Sequence, residues 1–135
     1  MKVILSIKPE FATKIFNGSK KYEFRRSLFK NPSVNKVVVY ASAPISKVIG
    51  EFEIDHVIHS DIDELWQTTE EHAGISKEYY MSYFDGKEAG YAIKIKKTKK
   101  YPDQLSIEQE YGIKPPQSFA YLHKEPGQLD LKLNR

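Results

Sequence analysis

The chain of 135 residues contains no cysteine. That excludes a disulfide framework and a thiolate zinc site, and a reducing compartment, the cytoplasm, is the expected location. No apolar run approaches the roughly 20 residues that cross a bilayer, so no membrane association is expected. The opening stretch Val3-Ile4-Leu5-Ser6-Ile7 is too short for a signal-peptide core and has no small-residue cleavage pattern after it. A phosphate-cradling glycine-rich loop, a G-x-S-x-G elbow and a dinucleotide fingerprint are all missing. The four histidines do not make up for this. His56 and His59 fit neither face of a strand cleanly and lack clustered acids, while His72 and His123 are isolated, so neither a metal nor another cofactor is expected.

What is present is a globular composition, 40% hydrophobic and 13% aromatic, of one-domain length. The net charge of +3 is mild, but the charges are segregated. Lys94, Lys96, Lys97, Lys99 and Lys100 run without an acid; Lys20, Lys21, Arg25, Arg26 and Lys30 surround the single Glu23. The acids gather at Asp61, Asp63, Glu64, Glu70 and Glu71. Such segregation suits one positive face, with Lys96, Lys97, Lys99 and Lys100 as contacts to a nucleic-acid backbone. The competing reading is a solvated strand edge that resists aggregation.

Periodicity supplies the elements. Val3 to Ile7 reads as a strand, and Pro9 opens a helix with Phe11, Ala12, Ile15 and Phe16 at helical spacing, stopped by Asn17-Gly18. Tyr22 and Phe24 alternate with Lys21, Glu23 and Arg25, so the charged residues share one strand face. Val37 to Tyr40 is a wholly apolar strand broken at Ala43-Pro44, and Val48 to Ile58 is a strand with Gly50 as a possible bulge. Asp61 and Glu64 form a capping pair for a helix over 62–73 that buries Trp66. Ser76 caps a further helix over 77–85 carrying Tyr79, Tyr80, Tyr83 and Phe84. Tyr91, Ile93 and Ile95 alternate with lysines in a strand. A short helix from Ile107 to Tyr111 and a strand from Phe119 to Leu122 complete the pattern. Segregated strands and helices imply an α+β fold, with Val37, Val39, Ile93 and Ile95 inside a small barrel.

Gly18-Ser19-Lys20-Lys21-Tyr22-Glu23-Phe24-Arg25 matches G-x-K-x-x-E-x-R, the signature of the ASCH family. Ser6-Ile7-Lys8-Pro9, Tyr40-Ala41-Ser42 and Pro115-Pro116-Gln117-Ser118-Phe119 resemble that family's opening, second-strand and closing segments. The resemblance covers residues 1–122 and leaves 123–135 as a C-terminal tail, in which Leu129, Leu131 and Leu133 would suit an added edge strand or a loose end. It implies a PUA-like mixed, mostly antiparallel β-barrel with peripheral helices, and a cleft where the signature residues meet. Lys8, Lys20, Glu23, Arg25, Arg26, Tyr40, Ser42 and Ser118 are the expected ligand-binding residues.

Three functions fit. A binding module would hold nucleic acid, RNA in preference, or a nucleotide-like ligand in a basic cleft. There Arg25 offers a planar fork to phosphate or carboxylate, and Glu23 accepts from an exocyclic amine. A small hydrolase would act on a modified nucleoside or on RNA, with Lys20 and Glu23 catalytic. Some ASCH members resemble acetylcytidine amidohydrolases and others ribonucleases. In the amidohydrolases a lysine works with a neighbouring hydroxyl; here Lys20 matches the lysine, but Glu23 stands at the hydroxyl position. An adaptor for protein partners in transcription regulation is the third reading.

Overall fold

A computed structural model describes residues 1–123. Residues 124–135, with the edge strand or loose end expected at Leu129, Leu131 and Leu133, lie outside the described residues. Strand β1 (Lys2–Ile7) leads into helix α1 (Pro9–Phe16), then β2 (Tyr22–Arg25), β3 (Lys36–Ala41) and the long β4 (Lys47–Asp61). Helix α2 (Ile62–Thr69), a turn of 3-10 helix (Glu70–His72) and α3 (Lys77–Tyr83) follow. The long β5 (Ala89–Leu105), α4 (Ile107–Tyr111) and β6 (Phe119–Leu122) complete the described fold. No helix among these residues is long and apolar enough to cross a membrane.

Helix α1 opens on Pro9 without a side-chain cap, whereas α2, α3 and α4 begin where short polar side chains satisfy their free N–H groups. Asp61 accepts from the Glu64 amide at 2.9 Å, Ser76 from that of Tyr79 at 3.1 Å and Ser106 from that of Gln109 at 3.3 Å. The helix expected over 62–73 is α-helical only to Thr69 and tightens into the 3-10 turn before Gly74.

The six strands form one mixed sheet in the order β2-β5-β4-β3-β1-β6. Among the described residues only β1 and β3 are parallel, joined by a crossover through α1 and β2, and every other pair is antiparallel. One face wraps a core that takes Val3, Leu5 and Ile7 from β1, Val37, Val39 and Ala41 from β3, and Ile93 from β5. Ala12 and Ile15 of α1 close it, with Ile95 packed at its margin. On the other face Tyr22, Phe24 and Ala92 pack against Leu65 and Trp66 of α2, Tyr80 of α3 and Phe84 just after it. Farther along that face Ile4, Val38, Tyr40 and Val48 lie with Ile107 of α4. Glu51, also buried, receives the Tyr101 hydroxyl at 2.7 Å and Lys2 Nζ at 3.2 Å. Burial works against its carboxylate, but those two donors outweigh it and hold its pKa below the ordinary value.

A closed barrel does not form by backbone pairing: among the described residues β2 and β6 are the two edges of the sheet. The reason is local. β2 has four residues and pairs only with β5, from Tyr22 opposite Lys94 to Arg25 opposite Tyr91. Its other edge is bridged to β1 by one side chain, Arg25, whose Nη2 donates to the Ser6 carbonyl at 3.0 Å.

The long strands bend at bulges. At Val39/Tyr40 the β3–β4 register skips Ile49, and both Ile49 and Phe52 turn into the inner core, out of strict alternation. Gly50 is required beside this bulge: a Cβ there would lie 2.6 Å from the Phe16 ring and 2.7 Å from the Lys99 carbonyl oxygen. The ring can shift, but a ladder carbonyl cannot do so without loss of pairing. Gly50→Ala is therefore expected to destabilise the protein by about 1–3 kcal/mol. A denaturant titration showing no loss would contradict this account of the bulge.

Candidate functional site

The site starts from the way α1 ends. Gly18, at φ +87°, takes the chain out of the helix in a left-handed conformation that suits glycine. The Lys20 amide then returns to the Lys14 carbonyl at 3.0 Å, and the Lys21 amide bonds the His72 carbonyl at 2.9 Å. This stitching turns the Lys20 side chain inward, where it is 2% exposed. Its ammonium donates to the Ala73 carbonyl at 2.8 Å and lies 4.9 Å from the Phe24 ring centroid and 5.4 Å from that of Phe11. Gly74, at φ +71°, makes room: a Cβ there would lie 2.5 Å from Lys20 Cβ.

β2 places the other two signature side chains. Glu23 and Arg25 are two residues apart, share a strand face and pair at 3.0 Å. Both are more than nine-tenths buried. Arg25 Nη2 serves both the Glu23 carboxylate and the Ser6 carbonyl, while its Nε, also buried, has no hydrogen-bond partner among the described residues. Orphaned buried N–H groups are rare in folded proteins.

These three side chains line one cavity of about 440 Å³ in the gap between the unpaired edge of β2 and the end of β1. That volume falls within the range of small-ligand sites. Lys8, Arg26 and Ser118 line it too. Lys8 is exposed at the rim, its Nζ 5.2 Å from the Tyr79 ring centroid, and its hydrogen bond to Tyr79 raises its pKa. Arg26 donates through Nη1 to the carbonyls of Tyr83 at 2.8 Å and Asp85 at 2.9 Å, tying β2 to the end of α3.

Other expected residues lie elsewhere. Tyr40 packs with Ile4 and Val38 on the opposite sheet face, and Ser42 sits in the turn after β3, where its amide bonds the Ile7 carbonyl; neither lines the cavity. Lys96, Lys97, Lys99 and Lys100 are exposed on β5 and do not line it either. Lys97 and Lys99 instead border a smaller groove of about 170 Å³ with Lys36, Glu51 and Glu53.

Sequence reasoning points to an aromatic-edged cleft and to Tyr79 or Tyr80 as left exposed, but it does not name the residues of the aromatic wall. Phe11 and Tyr79, edge to face at 5.1 Å, line the cavity together with Phe24 and Tyr83. In the sequence Phe11 and Tyr79 look like core positions of two amphipathic helices, and only their half-burial marks them as different.

Burial pushes the Lys20 ammonium down to about 8, opposed by the Glu23 carboxylate and helped by Lys14 and Arg25. At pH 7 the amine still carries its proton in most molecules, so two cations face one carboxylate. Between pH 8 and pH 10.5 the unfolded chain holds more protons at this lysine than the folded one, so its burial penalty, fully present below pH 8, is relieved as pH rises through that window. Measured against Lys20→Met, the parent should gain up to about 3 kcal/mol of relative stability from pH 7 to pH 10.5. Denaturant titrations across that range that show a constant difference would contradict this.

A family model described as the ASCH domain matches residues 5–99. Over 129 residues the chain is 32% identical to an ASCH domain-containing ribonuclease of Zymomonas mobilis subsp. mobilis, covering 93% of this chain and 86% of the relative. Over 123 residues it is 30% identical to the large ribosomal subunit protein uL22 of Ureaplasma parvum serovar 3, covering 89% of this chain but 39% of that protein. The crystal structure of ASCH from Zymomonas mobilis aligns with a TM-score of 0.84 at 28% identity, covering 91% of this chain and 88% of the other.

Proposed function

The chain belongs to the ASCH domain family, and from that membership we propose that it binds RNA, taking one nucleotide of a single strand into the cavity against Glu23 and Arg25. The observation that carries this is the charge balance of the cavity wall. Lys20 and Arg25 are buried beside a single carboxylate, with Lys8 and Arg26 at the same cavity. A site with surplus positive charge favours a phosphate or an electron-rich base edge over an apolar ligand. The half-buried rings of Phe11 and Tyr79 add an apolar wall of the kind unstacked bases use.

The residues divide by chemistry. Arg25 Nε supplies an unused buried donor, and Glu23 accepts from an exocyclic amine through whatever lone pairs Arg25 leaves. Lys8 and Arg26, at the rim, suit the phosphate, and Ser118 a sugar or phosphate oxygen. Lys96, Lys97, Lys99 and Lys100 would add a longer-range electrostatic contact to a longer strand. Tyr40 and Ser42 have no direct part in this reading.

A second reading, cleavage of the bound RNA, is favoured by two observations. The Zymomonas relative is named a ribonuclease, and Lys20 has its pKa lowered to about 8, where a minority of neutral amine exists at neutral pH. In that reading Lys20 takes the proton of a 2′-hydroxyl. The freed oxygen attacks the adjacent phosphorus, and the bond to the 5′-oxygen breaks, that oxygen leaving with the electron pair and gaining a proton from solvent.

Equilibrium binding of single-stranded RNA tests the first reading. Arg25→Ala is expected to cost about 1.5–3 kcal/mol of affinity. Arg25→Lys should recover only part of it, because an ammonium lacks the planar two-point fork. Unchanged affinity in Arg25→Ala would remove the cavity from the binding site. For cleavage, Lys20→Met should abolish turnover while RNA binding survives; parent protein with no turnover leaves binding alone.

A further inference from the structure

Beyond the cavity, β4 and β5 carry an aromatic pair that the core does not use. The rings of His59 and Tyr91 stack face to face, their centroids 4.2 Å apart and their planes 8° from parallel. His59 is exposed and Tyr91 half-buried, and neither belongs to the three packed clusters. Their neighbours show which way they point. Ala92 packs against the cluster of α2 and α3, and a Cβ on Gly90 would meet the Phe84 ring at 2.3 Å, so that face belongs to the helices. Tyr91, between them, projects from the other face.

The sheet register connects this pair to the site. Arg25 stands directly opposite Tyr91 in the β2–β5 ladder, and His59 stands directly opposite Tyr91 in the β4–β5 ladder. Directly opposed residues share a face, so Arg25, Tyr91 and His59 form one row across three strands. With strands about 4.8 Å apart, the row spans about 10 Å. The row begins at Arg25, the residue that closes the cavity. A stacked ring pair with one exposed member, in the same row as an arginine, combines the stacking surface and the cation that unstructured strands use.

We propose that Tyr91 and His59 form a stacking platform for the nucleotides that flank the one in the cavity, so that the chain reads a short single-stranded segment rather than a lone nucleotide. The proposal rests on the RNA-binding reading for its ligand, but not on the cavity for its readout. The alternative is a cross-strand pair that only stabilises the β4–β5 ribbon, and chain-length dependence separates the two.

The experiment uses 2′-O-methyl oligoadenylates of two and eight nucleotides, which resist cleavage through the 2′-hydroxyl, with fluorescence anisotropy on parent, Tyr91→Ala, Tyr91→Phe and Arg25→Ala. The parent should prefer the octamer. Tyr91→Ala should weaken the octamer roughly five- to a hundredfold, the span of one lost base stack, and leave the dinucleotide unchanged. Tyr91→Phe, which keeps the ring, should behave like the parent. Arg25→Ala should weaken both probes; if it weakens neither while Tyr91→Ala still weakens the octamer, the cavity reading fails and the platform stands. Equal effects of Tyr91→Ala on both probes, no effect on either, or no length preference in the parent would overturn the platform.

Discussion

Lys20 has almost no contact with water, and a buried ammonium persists only where fixed dipoles and charges replace its hydration. Here the Ala73 carbonyl, the faces of Phe11 and Phe24 and the nearby Glu23 carboxylate do so. They come from three segments, so stabilising one charge fixes α1, the strand β2 and the segment after α2 relative to one another. Gly74 belongs to the same constraint, because the lysine stem occupies the place a side chain would take. Arg25 repeats the arrangement one strand step away. Its guanidinium is held by Glu23 and by a carbonyl of β1, across the gap that the sheet does not close with hydrogen bonds. The cavity exists because that gap is bridged by side chains rather than by backbone.

Much of this was legible in the sequence, for identifiable reasons. Alternation along Tyr22 to Arg25 puts Glu23 and Arg25 on one face of β2, and the glycine stop at Gly18 leaves Lys20 free of strand parity, but it is the resemblance to the ASCH signature that marks the three as one cleft. Capping residues marked the starts of α2 and α3. Where alternation is lost, legibility goes with it. Val37 to Ala41 is buried on both faces, so its sequence does not say which way Tyr40 points, and Tyr40 proves to pack on the face away from the cavity. The closure of the sheet was illegible because it depends on where the pairing of the four-residue β2 stops. Phe11 and Tyr79 were not marked as ligand-binding because a half-buried aromatic on an amphipathic helix has the same sequence signature as a core residue.

The lysines of β5 show that charge density and site geometry are separate properties. They are the most basic run in the chain, yet they stand on the exposed part of a long strand, two of them facing Glu51 and Glu53 across the ladder. Exposed charges of this kind act over a Debye length and speed encounter, without fixing which group is bound. The charges with fixed geometry are the buried ones.

The most direct measurement follows the Arg25 Nε–H group in a nitrogen–proton NMR spectrum as single-stranded RNA is added, with the resonance assigned by its loss in Arg25→Lys. This donor is buried without an acceptor among the described residues, so a ligand seated in the cavity should move its signal and slow its exchange with water. A signal that stays unmoved at saturating RNA, while amides along Lys96 to Lys100 shift, would place the RNA on the β5 surface and contradict the account.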